Sequence, residues 1–142
     1  MRVTRAQVAA AFVVAALLAA GCADKNANVR GSVTGRVTLD GSPLVKGAIA
    51  FEPTAATRGP AAGGEIVNGR IDIPVAKGPA IGNNIVRVTA PQPTGRQVPG
   101  GTTGELVDEI AETVPKRYNT ATTLQAEIKK GRNEINFDLT TK

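Results

Sequence analysis

Histidine and tryptophan are absent from this 142-residue chain, which holds one cysteine, Cys22, one tyrosine, Tyr118, and three phenylalanines. Each absence removes a class of chemistry. Histidine is the side chain most often used as a general base or zinc ligand near neutral pH, so a Ser-His-Asp triad is excluded and most hydrolytic and metal chemistries are not expected. A lone cysteine cannot close an intramolecular disulfide. The serines, Ser32 and Ser42, have no S-x-x-K partner, because Lys46 stands four places after Ser42. No G-x-x-x-x-G-K-[ST] phosphate loop occurs either. The residues point away from an enzyme, and no cofactor is expected.

Long apolar runs are scarce too, with one exception at the amino terminus. Residues 1–7, MRVTRAQ, carry Arg2 and Arg5, and VAAAFVVAALLAA at 8–20 follows without a polar break. A bilayer span needs about 20 such residues, so the run is too short to stay in the membrane and reads as the helical h-region of an export signal. Removing it takes away two arginines, leaving 15 basic against 12 acidic residues, a net charge of +3 where the whole chain has +5. The remaining cations are scattered apart from Lys129, Lys130 and Arg132, and only Phe51, Tyr118 and Phe137 follow residue 22 as stacking faces. Nucleic-acid binding wants clustered cations with aromatic platforms, so it is not expected.

Small Ala19, Ala20 and Gly21 lead directly to Cys22, and this arrangement resembles the lipobox of bacterial lipoproteins. The resemblance implies cleavage before Cys22, a thioether to diacylglycerol on its sulfur, and a further fatty acyl chain such as palmitate on the new amino terminus. Two or more chains at about 0.8 kcal/mol per buried methylene hold a membrane stably where one does not. An ordinary secretory signal leaving a free thiol is the alternative, but no A-x-A site ends the run. The expected organisation is a signal peptide over 1–21, a polar tether over 22–31, and one folded domain over 32–142. The domain would then be exported and anchored to a bacterial membrane in the cell envelope.

From Ser32 onward the apolar period is two. Val33, Val37 and Leu39 share a face with Gly35, and Ile49 with Phe51 marks a second strand. Asp40-Gly41-Ser42-Pro43 and Asn68-Gly69 carry turn chemistry between strands. Ile71, Ile73 and Val75 alternate, as do Val86, Val88 and Ala90, then Leu124, Ala126 and Ile128, and finally Ile135, Phe137 and Leu139. About seven short strands separated by turns predict an all-β, Greek-key-type β-sandwich. The stretches GRVTLDGSPLVKGAIAFEP (35–53), NGRIDI (68–73) and IGNNIVRVTAP (81–91) resemble carboxypeptidase regulatory-like domains, also described as transthyretin-like. VPKRYN (114–119) with LQAEI and NEINFDL resembles small bacterial lipoproteins carrying that domain. The resemblance implies a scaffold without catalytic residues.

Pro91 to Ala121 lacks strand alternation and is the segment where a function would sit. PQPTGRQVPGGTTG is rich in proline and glycine. In ELVDEIAETV the residues Glu105, Asp108, Glu109 and Glu112 are spaced i, i+3, i+4 and i+7, which predicts a short helix with four carboxylates on one side. Thr102 with Glu105 has capping-box spacing. Side chains along one helix diverge and no calcium-loop spacing is present, so a metal site is not expected. Tyr118 could serve as a ligand platform, but a tyrosine near a strand start more often buries its ring and ties its hydroxyl to backbone. The expected function is a non-enzymatic, membrane-anchored structural or protein-interaction module; the alternative is a carbohydrate or cell-wall polymer-binding module.

Overall fold

Two dipeptides turn the chain most sharply. Asp40 and Gly41 have φ of 51° and 80°, and Asn68 and Gly69 have φ of 50° and 72°. Positive φ at both central residues is the requirement of the two-residue hairpin whose twist matches its strands. The first turn joins β1 (Gly31–Leu39) to the short β2 (Ser42–Pro43), with Leu39 opposite Ser42. The second joins β4 (Ala62–Val67) to β5 (Arg70–Ile73), with Val67 opposite Arg70. Between these hairpins runs β3 (Lys46–Pro53). The computed structural model describes residues 29–102 and 104–142. The segment expected to be a signal peptide, and Cys22, lie outside the described residues.

The rest of the described chain is β6 (Gly82–Thr89), β7 (Pro91–Gly100), β8 (Glu105–Glu112), β9 (Gln125–Ile128), β10 (Gly131–Glu134) and β11 (Phe137–Leu139). Helical turns among the described residues are confined to 3₁₀ turns at Val75–Lys77 and Lys116–Tyr118. The described residues are thus nearly all β, with eleven strands among them where about seven were expected from turn spacing. The surplus has identifiable sources. Ser42–Pro43 forms a two-residue strand, the terminal strand is split into β10 and β11, and the expected loop after Pro91 contains β7 and β8.

The main sheet runs in the order β10-β1-β5-β4-β3-β6-β9, with β2 and β11 also on β1. Its pairs are antiparallel except those of β1 with β10 and β11, which are parallel. The outermost strands of this path, β9 and β10, are joined only by Lys129 and Lys130. So short a link brings the two edges together, and the sheet is rolled around its own apolar face. The break in the last strand has a local cause: the Asn136 side-chain oxygen accepts from the Arg36 N–H at 2.9 Å, replacing a ladder carbonyl. Close by, a Cβ on Gly35 would lie 1.8 Å from the Ile135 carbonyl oxygen, so only glycine lets the chains approach there.

Alternation decides what the roll encloses. Val33, Val37, Ile49, Phe51, Ile66, Ile71, Ile73, Val86, Val88, Ile128 and Leu139 are buried, and Leu39, Leu124 and Ile135 pack against them half-buried. Asn84 stands among them with no exposed surface. Its amide donates to the carbonyls of Ala80 and Gly82, both at 2.9 Å, which fixes the approach to β6, while its Oδ1 has no partner among the described residues. The carboxy terminus is tied to the first turn. The Asp40 carboxylate accepts from the Thr141 N–H at 2.9 Å and its hydroxyl at 2.7 Å, and these donors lower its pKa.

Candidate interaction site: a projecting β-hairpin

The segment expected to be a loop with a helix is a two-stranded antiparallel sheet of its own, β7 paired with β8. The correction has a physical reason. ELVDEIAE is rich in helix formers, but β7 holds Pro91, Pro93 and Pro99 and cannot be helical, and pairing with it overrides the propensity of β8. The prolines sit on a ribbon that has two free edges, where a missing N–H costs least. Gly101 and Gly104, with φ of 61° and 69°, make the tip. The register shift between Pro93 and Gln97 takes up two residues of β7, so the ribbon is as long as the eight residues of β8, about 26 Å at about 3.3 Å per residue.

Changing the period from helix to strand redistributes the four acidic candidates. They no longer form a stripe: Glu105 and Glu109 point to one face of the ribbon, Asp108 and Glu112 to the other. No group of three or more potential ligands close enough to hold a metal occurs among the described residues. Two of the four have structural partners. Glu112 Oε1 accepts from the backbone N–H groups of Ala90 at 2.8 Å and Val114 at 2.9 Å, clasping the two ends of the arm at its root. Thr113 supports that clasp by donating its hydroxyl to the Ala90 carbonyl at 2.8 Å. Glu109 Oε2 accepts from the Thr94 hydroxyl at 2.8 Å and lies 3.6 Å from Arg96 Nε, spanning the register shift between Pro93 and Gln97.

The arm's apolar residues are exposed. Leu106, Val107 and Ile110 keep 58%, 47% and 57% of their surface in solvent. Pairing places Pro99 opposite Leu106 and Pro93 opposite Ile110, so these four occupy one face, which also carries Pro91, Asp108 and Glu112. Pro91 in turn lines a groove of about 530 Å³ at the arm's root, whose other walls include Val45, Lys46, Ala48, Glu65 and Val67. Val45 and Val67 are 69% and 55% exposed. An apolar strip therefore runs from the groove along one face of the arm. Exposed aliphatic residues in such a strip mark contact surfaces more often than scattered ones do.

Charge divides along the same line. Residues 91–112 hold Arg96 against Glu105, Asp108, Glu109 and Glu112, a net charge of −3. The remaining residues from 29 onward hold 13 basic against 7 acidic side chains, a net charge of +6.

Tyr118 lies apart from the arm, at the 3₁₀ turn that follows it. Its ring is half-buried against the core, its hydroxyl accepts from the Thr140 N–H at 3.3 Å, and the Arg117 guanidinium carbon lies 5.0 Å from the ring centroid. Hydrogen bonding by the Thr140 side chain and then by Arg117 lowers the phenol pKa from 10 to about 8. The arrangement fastens the carboxy-terminal strand, as Arg117 does by donating to the carbonyls of Thr140 and Lys142. Behind the arm, Arg87 pairs with Glu52 at 2.8 Å and donates to the Asn119 carbonyl, holding the returning chain across β6.

Strand pairing of β7 with β8 escaped sequence reasoning because Leu106 and Ile110 are four apart, a spacing shared by a helix and by one face of a strand. The signal that could have found it was the density of prolines in residues 91–99, which leaves extended structure as the regular conformation open to that half.

No family model matches the chain, and no curated protein matches it. Among solved structures it is similar to a 9R-lipoxygenase from Cyanothece PCC8801 at 16% identity and a TM-score of 0.37. That likeness covers 81% of this chain and 17% of the lipoxygenase chain.

Proposed function

We propose that the protein is a non-enzymatic lipoprotein of the bacterial cell envelope, anchored through Cys22, whose transthyretin-like, Greek-key-type β-sandwich presents the arm for protein contact. One observation carries the contact half of this reading: Leu106, Val107 and Ile110 stand exposed on a ribbon held only at its root. A two-stranded hairpin is marginal in water on its own. A chain that keeps one extended in solvent, with aliphatic side chains along it, carries a surface suited to a partner. The anchor half rests on the run 8–20 and the small residues before Cys22.

The polymer-binding alternative has less to stand on. Sugar-binding faces use exposed aromatic rings, and the single tyrosine packs its ring against the core beneath Arg117. Two measurements test the proposal. Metabolic labelling with a fatty acid is expected to mark the wild type and miss Cys22→Ala; equal labelling would end the anchor claim. A photoactivatable residue at Ile110 is expected to give protein adducts in intact cells, and adducts to glycan alone would favour the alternative.

A further inference from the structure

We infer that the partner of the arm is a second copy of this chain: the two arms lie antiparallel, and the tip of each occupies the Val45–Val67 groove at the root of the other. The inference rests on the reading of the arm as a contact element and is independent of the anchor.

Three observations single out this occupant. The first is geometric. The groove and the apolar face of the arm form one strip, with the groove at one end and Leu106 beside the tip at the other. A two-fold axis through the middle of the strip places Leu106 and Pro99 of each copy over Val45 and Val67 of its partner, and Ile110 meets the partner's Ile110 region at the centre. Such a strip is complementary to itself, as a closed two-fold interface requires. The arm cannot fill its own groove. Leu106 lies six residues along β8 from Glu112, the partner of Pro91, about 20 Å along the ribbon, and Glu112 and Thr113 clasp the root.

The second observation is the division of charge. An arm of −3 against a body of +6 favours arm on body. Asp108, on the same face as Leu106, would reach Lys46 at the partner's root beside the partner's Glu112, whose Oε1 is already engaged by the N–H groups of Ala90 and Val114. The same charges disfavour the competing arrangement in which β8 edges pair with one another, because that sets four carboxylates against four. They also disfavour insertion into an anionic bilayer, which repels a negative arm.

The third is the exposure of both halves. The arm leaves Leu106 and Ile110 uncovered, and the body leaves Val45 and Val67 uncovered. One two-fold contact covers all four.

The test uses full-length chain in membranes or detergent. Chain carrying Leu106→Cys is mixed with chain carrying Val67→Cys and oxidised mildly, with each variant alone and the wild type as controls for Cys22. A disulfide needs Cα atoms within about 7 Å, so the tip and groove of one chain cannot bridge. The mixture is expected to give a linked dimer that none of the controls gives. In sedimentation the wild type is expected to be dimeric, with Leu106→Asp and Val67→Asp each weakening association about tenfold or more. Both sites are exposed, so unchanged melting temperatures check that the variants fold. Lys46→Glu and Asp108→Lys should each weaken the dimer, and together restore it in part.

A monomeric wild type with no linked dimer in the mixture overturns the inference. If Ile110 photo-adducts to a different protein accompany that result, self-association fails while the contact reading stands. If there are no adducts at all, both fail.

Discussion

The rolled body and the arm are built from the same secondary structure, yet they are held by different forces. In the body β1, β3, β4, β5 and β6 pair on both sides, and alternate residues such as Ile49, Phe51, Val86 and Val88 are almost fully removed from water. In β8 every residue but Glu109 is exposed, and the arm is held by its ladder, the Glu112 clasp and the contacts of Glu109. Hydrogen bonds contribute about 1 kcal/mol net each, whereas a buried Phe or Ile side chain contributes about 1.5–3 kcal/mol. Burial therefore makes the body stable without a partner. The arm has backbone pairing without burial, so it opens locally more easily than the strands of the core.

Truncations on the two sides of this boundary should separate by the largest margin. Phe51→Ala removes a fully buried ring and is expected to cost about 3–5 kcal/mol, read as a lower denaturant midpoint of the body. Ile110→Ala, measured below the dimerisation range, is expected within about 0.5 kcal/mol of wild type. Comparable losses from the two would erase the distinction between body and arm.

A smaller effect is expected where β1 meets the last strand. Gly35→Ala forces a Cβ onto the Ile135 carbonyl, and overpacking of this kind costs about 1–3 kcal/mol. Amide exchange should quicken at Ile135, whose N–H donates to the Thr34 carbonyl, and leave β7 and β8 unchanged. Faster exchange throughout the arm would mean that the two regions open as one unit.

At the root of the arm, Glu112→Ala removes the acceptor shared by Ala90 and Val114. A loss of about 1 kcal/mol is expected, with faster amide exchange at Ala90 and Val114 and an unchanged core. Unaltered protection at both amides would show that the ladder alone holds the arm.

The finest distinction is a titration. With one tyrosine in the chain, phenolate absorbance reports Tyr118 directly, and its midpoint is expected at about 8, against 10 for an unperturbed phenol. A pKa lowered by folding means that the folded state holds the phenolate better than the unfolded chain does. The linked stability therefore grows as pH rises through about 8, is complete above 10, and is lost as pH falls back through about 8. Thr140→Ala should return the midpoint toward 10, and a wild-type midpoint already there would remove the hydroxyl from the fastening of the carboxy terminus.

How much of this was legible beforehand differs by region. Around Asn68-Gly69 the turn, its register and the faces of Ile71 and Ile73 followed from local chemistry, because positive φ at two adjacent residues admits few sequences. The strands through Ile49 and Phe51, and through Val86 and Val88, were legible because one face is buried and the period of two has no competing interpretation. Glu105–Glu112 was misread as a helix. Its composition favours one, and neither of its faces is buried, so no burial pattern marks it as a strand. The hydrogen bond of the Tyr118 hydroxyl to the Thr140 backbone follows the general habit of a tyrosine at a strand start, whereas the clasp by Glu112 depends on a root geometry that no spacing encodes.

The sequence alone determined that the chain is β-rich, where its tight hairpins fall, which side chains line the interior, and that histidine-dependent catalysis is excluded. These are properties of single residues and of near neighbours, and local sterics and hydrophobic period suffice to set them. Only the tertiary structure decided that β9 and β10 take the two edges of the main sheet, that the last strands run parallel to β1, and that residues 91–112 project as a ribbon with a groove at their root. Those features depend on contacts between residues up to about a hundred positions apart, where the balance between pairing, burial and local propensity is struck by the whole fold at once.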